Sequence, residues 1–133
     1  MNLYKYLEEK RKIIDKALDN YLPETDEYPA VIHKAIRYSV FSGGKRIRPI
    51  LTIAACQAVG GKDKDSLKPA CAVELVHTFS LIHDDLPAVD NSDRRRGKKT
   101  LHKKYNEAVA LLAGDALLNL AFEILSESNI RGS

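Results

Sequence analysis

The sequence predicts an all-α fold, and three observations carry the prediction. Apolar residues recur at three- and four-residue multiples along most of the chain. Prolines and paired glycines fall where those runs start or stop. Neither an Asn-Gly or Asp-Gly hairpin signal nor a sustained apolar/polar alternation interrupts them.

Taken in order, Leu3, Leu7, Ile14, Leu18 and Tyr21 make one stripe, with Glu8, Glu9, Lys10, Arg11 and Lys12 largely outside it, and Pro23 stops this first helix. After the polar connector PETDEY, Pro29 fits a first helical turn, and Val31, Ile32, Ala35, Ile36, Val40 and Phe41 form a second helix that Gly43-Gly44 ends. Pro49 opens a third, ILTIAACQAV, ended by Gly60-Gly61. Past the charged loop KDKD, Ser66 caps a fourth whose body is residues 69–85, PACAVELVHTFSLIHDD. That helix is apolar nearly all round, so it belongs in the middle of a bundle. The loop NSDRRRGKKT then leads to a last helix from Leu101 to Ser126, marked by Ala108, Leu111, Leu112, Ala116, Leu120 and Ile124.

At 133 residues the chain has one domain's length, large enough for a real core. An apolar share of 44% with 29% charged residues fits a soluble globular protein. The net charge of +3 is modest. Its positive part is concentrated at residues 94–104, which reads as a local anion site and not as a nucleic-acid surface. Cys56 and Cys71 lie in apolar helical contexts without CxxC spacing, as free thiols of a reducing cytosol do. No stretch approaches the roughly 18 uninterrupted apolar residues of a membrane span, and MNLYKYLEEKRK lacks an apolar signal core. The expected compartment is the cytoplasm.

Chemistry is concentrated between His77 and Thr100. Asp84, Asp85, Asp90 and Asp93 put four carboxylates into ten residues, and Arg94, Arg95, Arg96, Lys98 and Lys99 follow at once. Carboxylates this close repel one another unless a hard cation lies between them, and Mg²⁺ is the usual one held by a few carboxylates plus phosphate oxygens; Mn²⁺ accepts the same donors. Guanidinium groups suit the phosphate itself. The pattern therefore points to a metal-bridged diphosphate. His77 and Asp84 are seven residues apart, so they share a helix face about 10 Å apart and can line one elongated cavity. Pro87 breaks the helix near Asp85 to Pro87, and only that break lets Asp90 return toward Asp84, since in a continuous helix it would point about 240° away.

At these residues the sequence resembles a family. His83-Asp84-Asp85-Leu86-Pro87-Ala88-Val89-Asp90 followed by Arg95-Arg96-Gly97 looks like the first aspartate-rich motif of the trans-isoprenyl diphosphate synthases; Gly43-Gly44-Lys45-Arg46-Ile47-Arg48-Pro49 and Gly114-Asp115 resemble two more of its signatures. The likeness runs from Leu3 to Leu125, in the family's order, and is nearest to the short-chain bacterial enzymes that make farnesyl or geranylgeranyl diphosphate. It implies the N-terminal portion of the isoprenoid-synthase helical bundle, with residues 1–133 as a single helical domain.

The resemblance also implies roles. Asp84 and Asp90 would ligate Mg²⁺, with Asp85 close by and contributing through water; Arg95 would bind the allylic diphosphate; Arg96, Gly44, Lys45, Arg48 and His77 would hold isopentenyl diphosphate. Because Arg94 precedes the pair, which two of the three arginines act stays open. Phe79, at the fifth position before the aspartates, with Ser80 beside it, would form the floor that limits chain growth, which points to a fifteen-carbon farnesyl product. On a helix, though, Ser80 lies about 40° from Asp84 and Phe79 about 140°. His33 and His102 have no comparable context.

Three rival functions are weighed against this. His83-Asp84 is formally the dyad of HD-type phosphohydrolases, which need further ligands that the remaining histidines do not supply at helical spacing. A terpene cyclase would have no need of Lys45, Arg48 and His77. A non-catalytic helical fragment or partner subunit that binds diphosphate is the third. Complete members of the family are more than twice as long and carry a second aspartate-rich motif, which is not found before Ser133, and Asp115 is a single acid. The expectation is a chain that holds half of a site, associates through exposed apolar helices as a homodimer or similar assembly, and turns over weakly or not at all alone.

Overall fold

The computed structural model describes residues 2–127. Within them the order is α1 Leu3–Tyr21, α2 Ala30–Val40, α3 Ile47–Ala58, α4 Asp63–Asp85, a two-stranded antiparallel ribbon of β1 Arg94–Arg95 and β2 Lys98–Lys99, then α5 Leu101–Lys104 and α6 Glu107–Ser126. The fold is all-α, as expected, and the ribbon is the one sheet among the described residues.

Several boundaries fall elsewhere than the local signals put them. Pro29 is the residue before α2, in extended backbone, and α2 already ends at Val40, two residues short of the glycine pair. The third helix starts at Ile47, so Pro49 is its third residue; it is tolerated there because the first four amides of a helix have no intrahelical acceptor. The fourth starts at Asp63, not after Ser66. The Asp65 carboxylate takes the Lys62 amide at 2.8 Å, and Asp63 and Asp65 favour the positive end of the helix dipole. Ser66 is an interior residue whose hydroxyl donates to the Asp63 carbonyl, and Pro69 sits inside the helix. The last expected helix is two, because Asn106 caps α6 by accepting from the Val109 amide at 2.8 Å.

The near-uniform apolar character of α4 is explained by its neighbours: it packs on α1, α2, α3 and α6. Ile14 and Leu18 of α1, Val40 of α2, Ile53 of α3, Cys71 and Leu75 of α4 and Leu117 of α6 are fully buried together. Along α6 the buried positions are mostly small, Ala110, Ala113, Gly114 and Ala121 around Leu117, so its axis can come close to α4. At Gly114 a Cβ would overlap the His83 imidazole. That glycine is fixed by packing.

Two features bear on membranes and partners. By length and mean hydropathy of 1.8, α6 is the one described helix that could cross a membrane, although no long uninterrupted apolar run was evident in the sequence. A third of that stretch is buried, along a small-residue seam, and Asp115 at its middle is exposed. Its outer face and that of α4 stay open, with Val73, Val76, Leu111, Leu112, Leu125 and Phe122, the last 65% exposed, all reaching solvent.

Candidate active site

The site is built at the C-terminal end of α4. The helix stops at Asp85, and Leu86 caps it with extended backbone, as the residue before a proline must be. The loop then folds back: the Asp90 amide donates to the Asp84 carbonyl at 2.8 Å, Asn91 to Leu86 at 3.0 Å and Ser92 to Asp85 at 3.0 Å. Carbonyls left open by the end of the helix are thus satisfied by the loop itself. This is the return of Asp90 that the break was expected to permit, here fixed by a backbone hydrogen bond.

The basic run is not a loop. Arg94 pairs with Lys99 and Arg95 with Lys98 across a two-residue turn whose centre, Arg96-Gly97, has φ of 50° and 77°. Positive φ at both central residues is the hairpin turn that matches strand twist; Asn-Gly usually supplies it, and Arg-Gly does so here. Tyr38 of α2 steadies the ribbon by donating to the Lys99 carbonyl at 2.8 Å. The three arginines find different partners along it. Arg94 donates within the hairpin to the Gly97 carbonyl; Arg95 and Arg96 reach toward the helices.

Each carboxylate has its own environment. Asp85 is only 4% exposed and accepts a bidentate pair from Arg95, Nε at 3.0 Å and Nη2 at 2.8 Å. The hydrogen bond to Asp85, aided by the fields of Asp84 and Asp90 and opposed by burial, holds the Arg95 guanidinium more firmly protonated than usual. Asp84 and Asp90 are exposed. Among the described residues no group of three His, Cys, Asp or Glu side chains could hold a metal ion. Two open carboxylates nevertheless fit a hard cation that keeps water and takes its remaining oxygens from a phosphate.

Two turns earlier on α4, at His77, the second predicted group comes together. Gly44, Lys45, Arg48, His77 and Arg96 all line one cavity of about 270 Å³, with Arg46 and Glu74 at its back. Arg96 Nη1 donates to the Gly43 carbonyl at 3.2 Å, and a Cβ at Gly44 would sit 3.3 Å from Arg96 Nη2 on a backbone of φ +119°. The positive φ favours glycine there, while the contact alone would ask only a small shift of the Arg96 guanidinium. Arg48 Nη1 donates to His77 Nε2 at 3.4 Å, so that nitrogen is bare and the ring neutral. Burial, then the charge of Arg48, and more weakly Arg96 and Arg95, keep the His77 pKa below its ordinary value against the pull of Glu74. His77 also opens onto an apolar groove of about 410 Å³ with Arg48, Val73, Val76, Ser80 and Leu125.

Phe79 lies elsewhere. It packs against the core, edge-on to His83, with ring centroids 4.8 Å apart at 68°. His83 turns to α6, donating from Nε2 to the Leu111 carbonyl at 3.0 Å, with the exposed Asp115 carboxylate 3.6 Å from the same nitrogen.

Sequence reasoning missed Arg46 as a separate element of the site. It is 5% exposed, left-handed at φ 56°, and bonded to Asp15, Glu74 and the Val40 carbonyl. The available signal was Glu74, a lone charge in a helix that is otherwise apolar along its central turns, which calls for a buried partner.

The polyprenyl synthetase family model matches residues 29–132. The chain belongs to the polyprenyl synthetase family. The chloroplastic heterodimeric geranylgeranyl pyrophosphate synthase large subunit 1 of Arabidopsis thaliana is 54% identical over 123 residues, which are 92% of this chain and 33% of that protein. The dimethylallyltranstransferase of Fischerella ambigua (strain UTEX 1903) is 51% identical over 93% of this chain and 35% of its own length. Among solved structures, the apo FPP/GFPP synthase of Zymomonas mobilis superposes with a TM-score of 0.91 at 43% identity, over 98% of this chain and 47% of that one. The geranyltranstransferase of Thermotoga maritima gives 0.82 at 43% identity, over 91% and 45%. This polyprenyl synthetase chain therefore spans about a third of the length of the curated relatives it matches. The whole helical core of the chain has its counterpart in a synthase of known structure.

Proposed function

We propose that this chain carries the diphosphate-binding half of a trans-prenyltransferase, which joins isopentenyl diphosphate to an allylic diphosphate. The observation that supports it most is that Gly44, Lys45, Arg48, His77 and Arg96, from three separate stretches of the sequence, line one cavity.

The chain's own residues divide the work. Lys45, Arg48 and Arg96 hold the isopentenyl diphosphate as cations, and His77, kept neutral by burial and the neighbouring guanidiniums, adds a hydrogen bond from Nδ1–H without another full charge. Arg95, anchored by Asp85, presents its remaining N–H groups toward the allylic diphosphate. Asp84 and Asp90 are the residues that would hold Mg²⁺, which supplies charge stabilisation at the departing diphosphate when bound. In the overall reaction the allylic C–O bond breaks, the isopentenyl double bond forms the new C–C bond, and a proton is lost. The groove by Val73, Val76 and Ser80 offers the cation an apolar wall, and it would exclude water once its open side is covered.

Product length is the finer question. Phe79 points to fifteen carbons through the resemblance, while Ser80 is the residue on the groove. Several plant relatives are named for the twenty-carbon geranylgeranyl product. Chromatography of products from the wild type and Phe79→Ala decides between them: lengthening supports Phe79 as the floor, and an unchanged product removes it. Association is proposed through the open faces of α4 and α6, and a cytoplasmic, reducing compartment accords with the free thiols Cys56 and Cys71.

The test is turnover of the chain with labelled isopentenyl diphosphate, geranyl diphosphate and Mg²⁺, with light scattering for mass. Product that disappears in Asp84→Ala establishes catalysis by an assembly of this chain. Mg²⁺-dependent retention of a diphosphate analogue without product establishes binding alone, whereas neither product nor retention overturns the reading. A terpene cyclase would keep its activity when Lys45 and Arg48 are replaced.

A further inference from the structure

We infer that Arg46 is a positioning residue for the anion cavity: a buried guanidinium that fixes the Gly43–Arg48 turn so that the residues on either side of it, Lys45 and Arg48, face the ligand. The inference rests on the proposed diphosphate reading of that cavity.

The geometry carries it. Arg46 sits between two exposed cations yet is itself 5% exposed. Its left-handed backbone, φ 56°, turns it the opposite way from its neighbours, a conformation that a non-glycine residue holds only where its surroundings over-determine it. Here they do, because its fork reaches three elements at once. Nε donates to Asp15 of α1 at 2.8 Å, Nη1 to Glu74 of α4 at 3.0 Å, and Nη2 to the last carbonyl of α2, at Val40, at 2.6 Å. Glu74 is 5% exposed and lies one turn before His77 on the same helix. The pair therefore ties the turn bearing Lys45 and Arg48 to the helix bearing His77. Without that tie, the positive φ values of Gly43 and Gly44 leave the turn free to take other shapes, and the cations lose their common target.

Arg46 is not itself offered as a ligand, since three of its five N–H groups go to protein and its side chain is only 4% exposed. A buried pair is weak evidence of net stabilisation, so its use is better sought in geometry than in stability.

The experiment compares wild type, Arg46→Lys, Glu74→Gln and the double variant Lys45→Ala/Arg48→Ala, with inorganic diphosphate as probe in isothermal titration calorimetry of the full chain. Thermal melts and the amide NMR signals of Gly43 and Gly44 are followed in parallel. Lysine keeps the charge and can reach one partner, but it lacks the planar fork that reaches three. The expected result is that Arg46→Lys melts at a lower temperature, because buried partners lose their donors, yet at temperatures where it stays fully folded it binds diphosphate about ten- to a hundredfold more weakly, as misplacement of positioned groups does, and shifts or broadens the two glycine signals. Glu74→Gln moves affinity and the same signals in the same direction. If Arg46→Lys binds like wild type, or loses affinity only in proportion to its loss of folded protein, the inference is overturned. If wild type binds no diphosphate, or Lys45→Ala/Arg48→Ala binds as well as wild type, the cavity reading fails first and Arg46 falls with it.

Discussion

Gly114→Ala sets local propensity against packing, and the two predict opposite signs. On an isolated helix the change stabilises by about 0.5–1 kcal/mol, because alanine loses less backbone freedom. In this chain the new methyl overlaps the His83 imidazole, which is held by a 3.0 Å hydrogen bond to the Leu111 carbonyl and an edge contact with Phe79 at 4.8 Å. If the ring moves, about 1 kcal/mol of hydrogen bond and about 0.5–1.5 kcal/mol of aromatic contact are lost. If the helices part instead, overpacking costs about 1–3 kcal/mol. Set against the propensity gain, the net is a destabilisation of about 0.5–2 kcal/mol, a fall in Tm of roughly 2–8 °C for a chain of this size. Differential scanning calorimetry of wild type, Gly114→Ala, His83→Ala and the double variant measures it. The cycle should show favourable coupling, because removing the ring makes room for the methyl. A higher Tm for Gly114→Ala, or strict additivity, would refute the view that this glycine exists to let α6 approach α4.

Other outcomes follow from the site. Asp85→Asn removes the carboxylate that takes both Arg95 donors, at a cost of about 1–2 kcal/mol once the partial exposure of Arg95 is allowed for, and it should weaken diphosphate binding more than Asp93→Asn, which touches only the exposed Lys103; chemical denaturation and calorimetry read both. His77 is held below its ordinary 6.5, so as pH falls the unfolded chain takes up the proton first. Its contribution to stability is complete above 6.5 and is lost as pH falls from there through the folded value, whereas added diphosphate should raise the imidazole pKa, as NMR titration of its ring signals will show. Burial pushes the Cys71 thiol up to about 12, so iodoacetamide at mildly alkaline pH should label Cys56 and leave Cys71 unmodified in the native chain, by peptide mass spectrometry.

What the sequence determined by itself was whatever depends on neighbours along the chain. The 3.6-residue period gave the helices, Pro87 gave the end of α4, and the central place of that helix followed from its apolar girth. The Asp84–Asp90 return was legible from Pro87, whereas the grouping of Lys45, Arg48, His77 and Arg96 came from the family resemblance and not from their spacing along the chain. Boundaries slipped where a cap competed with a stronger one nearby, as Ser66 did with Asp63 and Asp65. The tertiary structure alone decided which charges are free. Asp84 and Asp85 are adjacent and chemically identical, yet one meets solvent and the other is closed by Arg95, because the Arg-Gly turn folds the ribbon back onto the end of the helix. Arg46 and Arg48 differ in the same way. Whether a guanidinium points at a ligand or into the protein is set by what other helices place within its reach, Asp15 and Glu74 in one case and open cavity in the other, and that information lies 28 and more residues away in the chain.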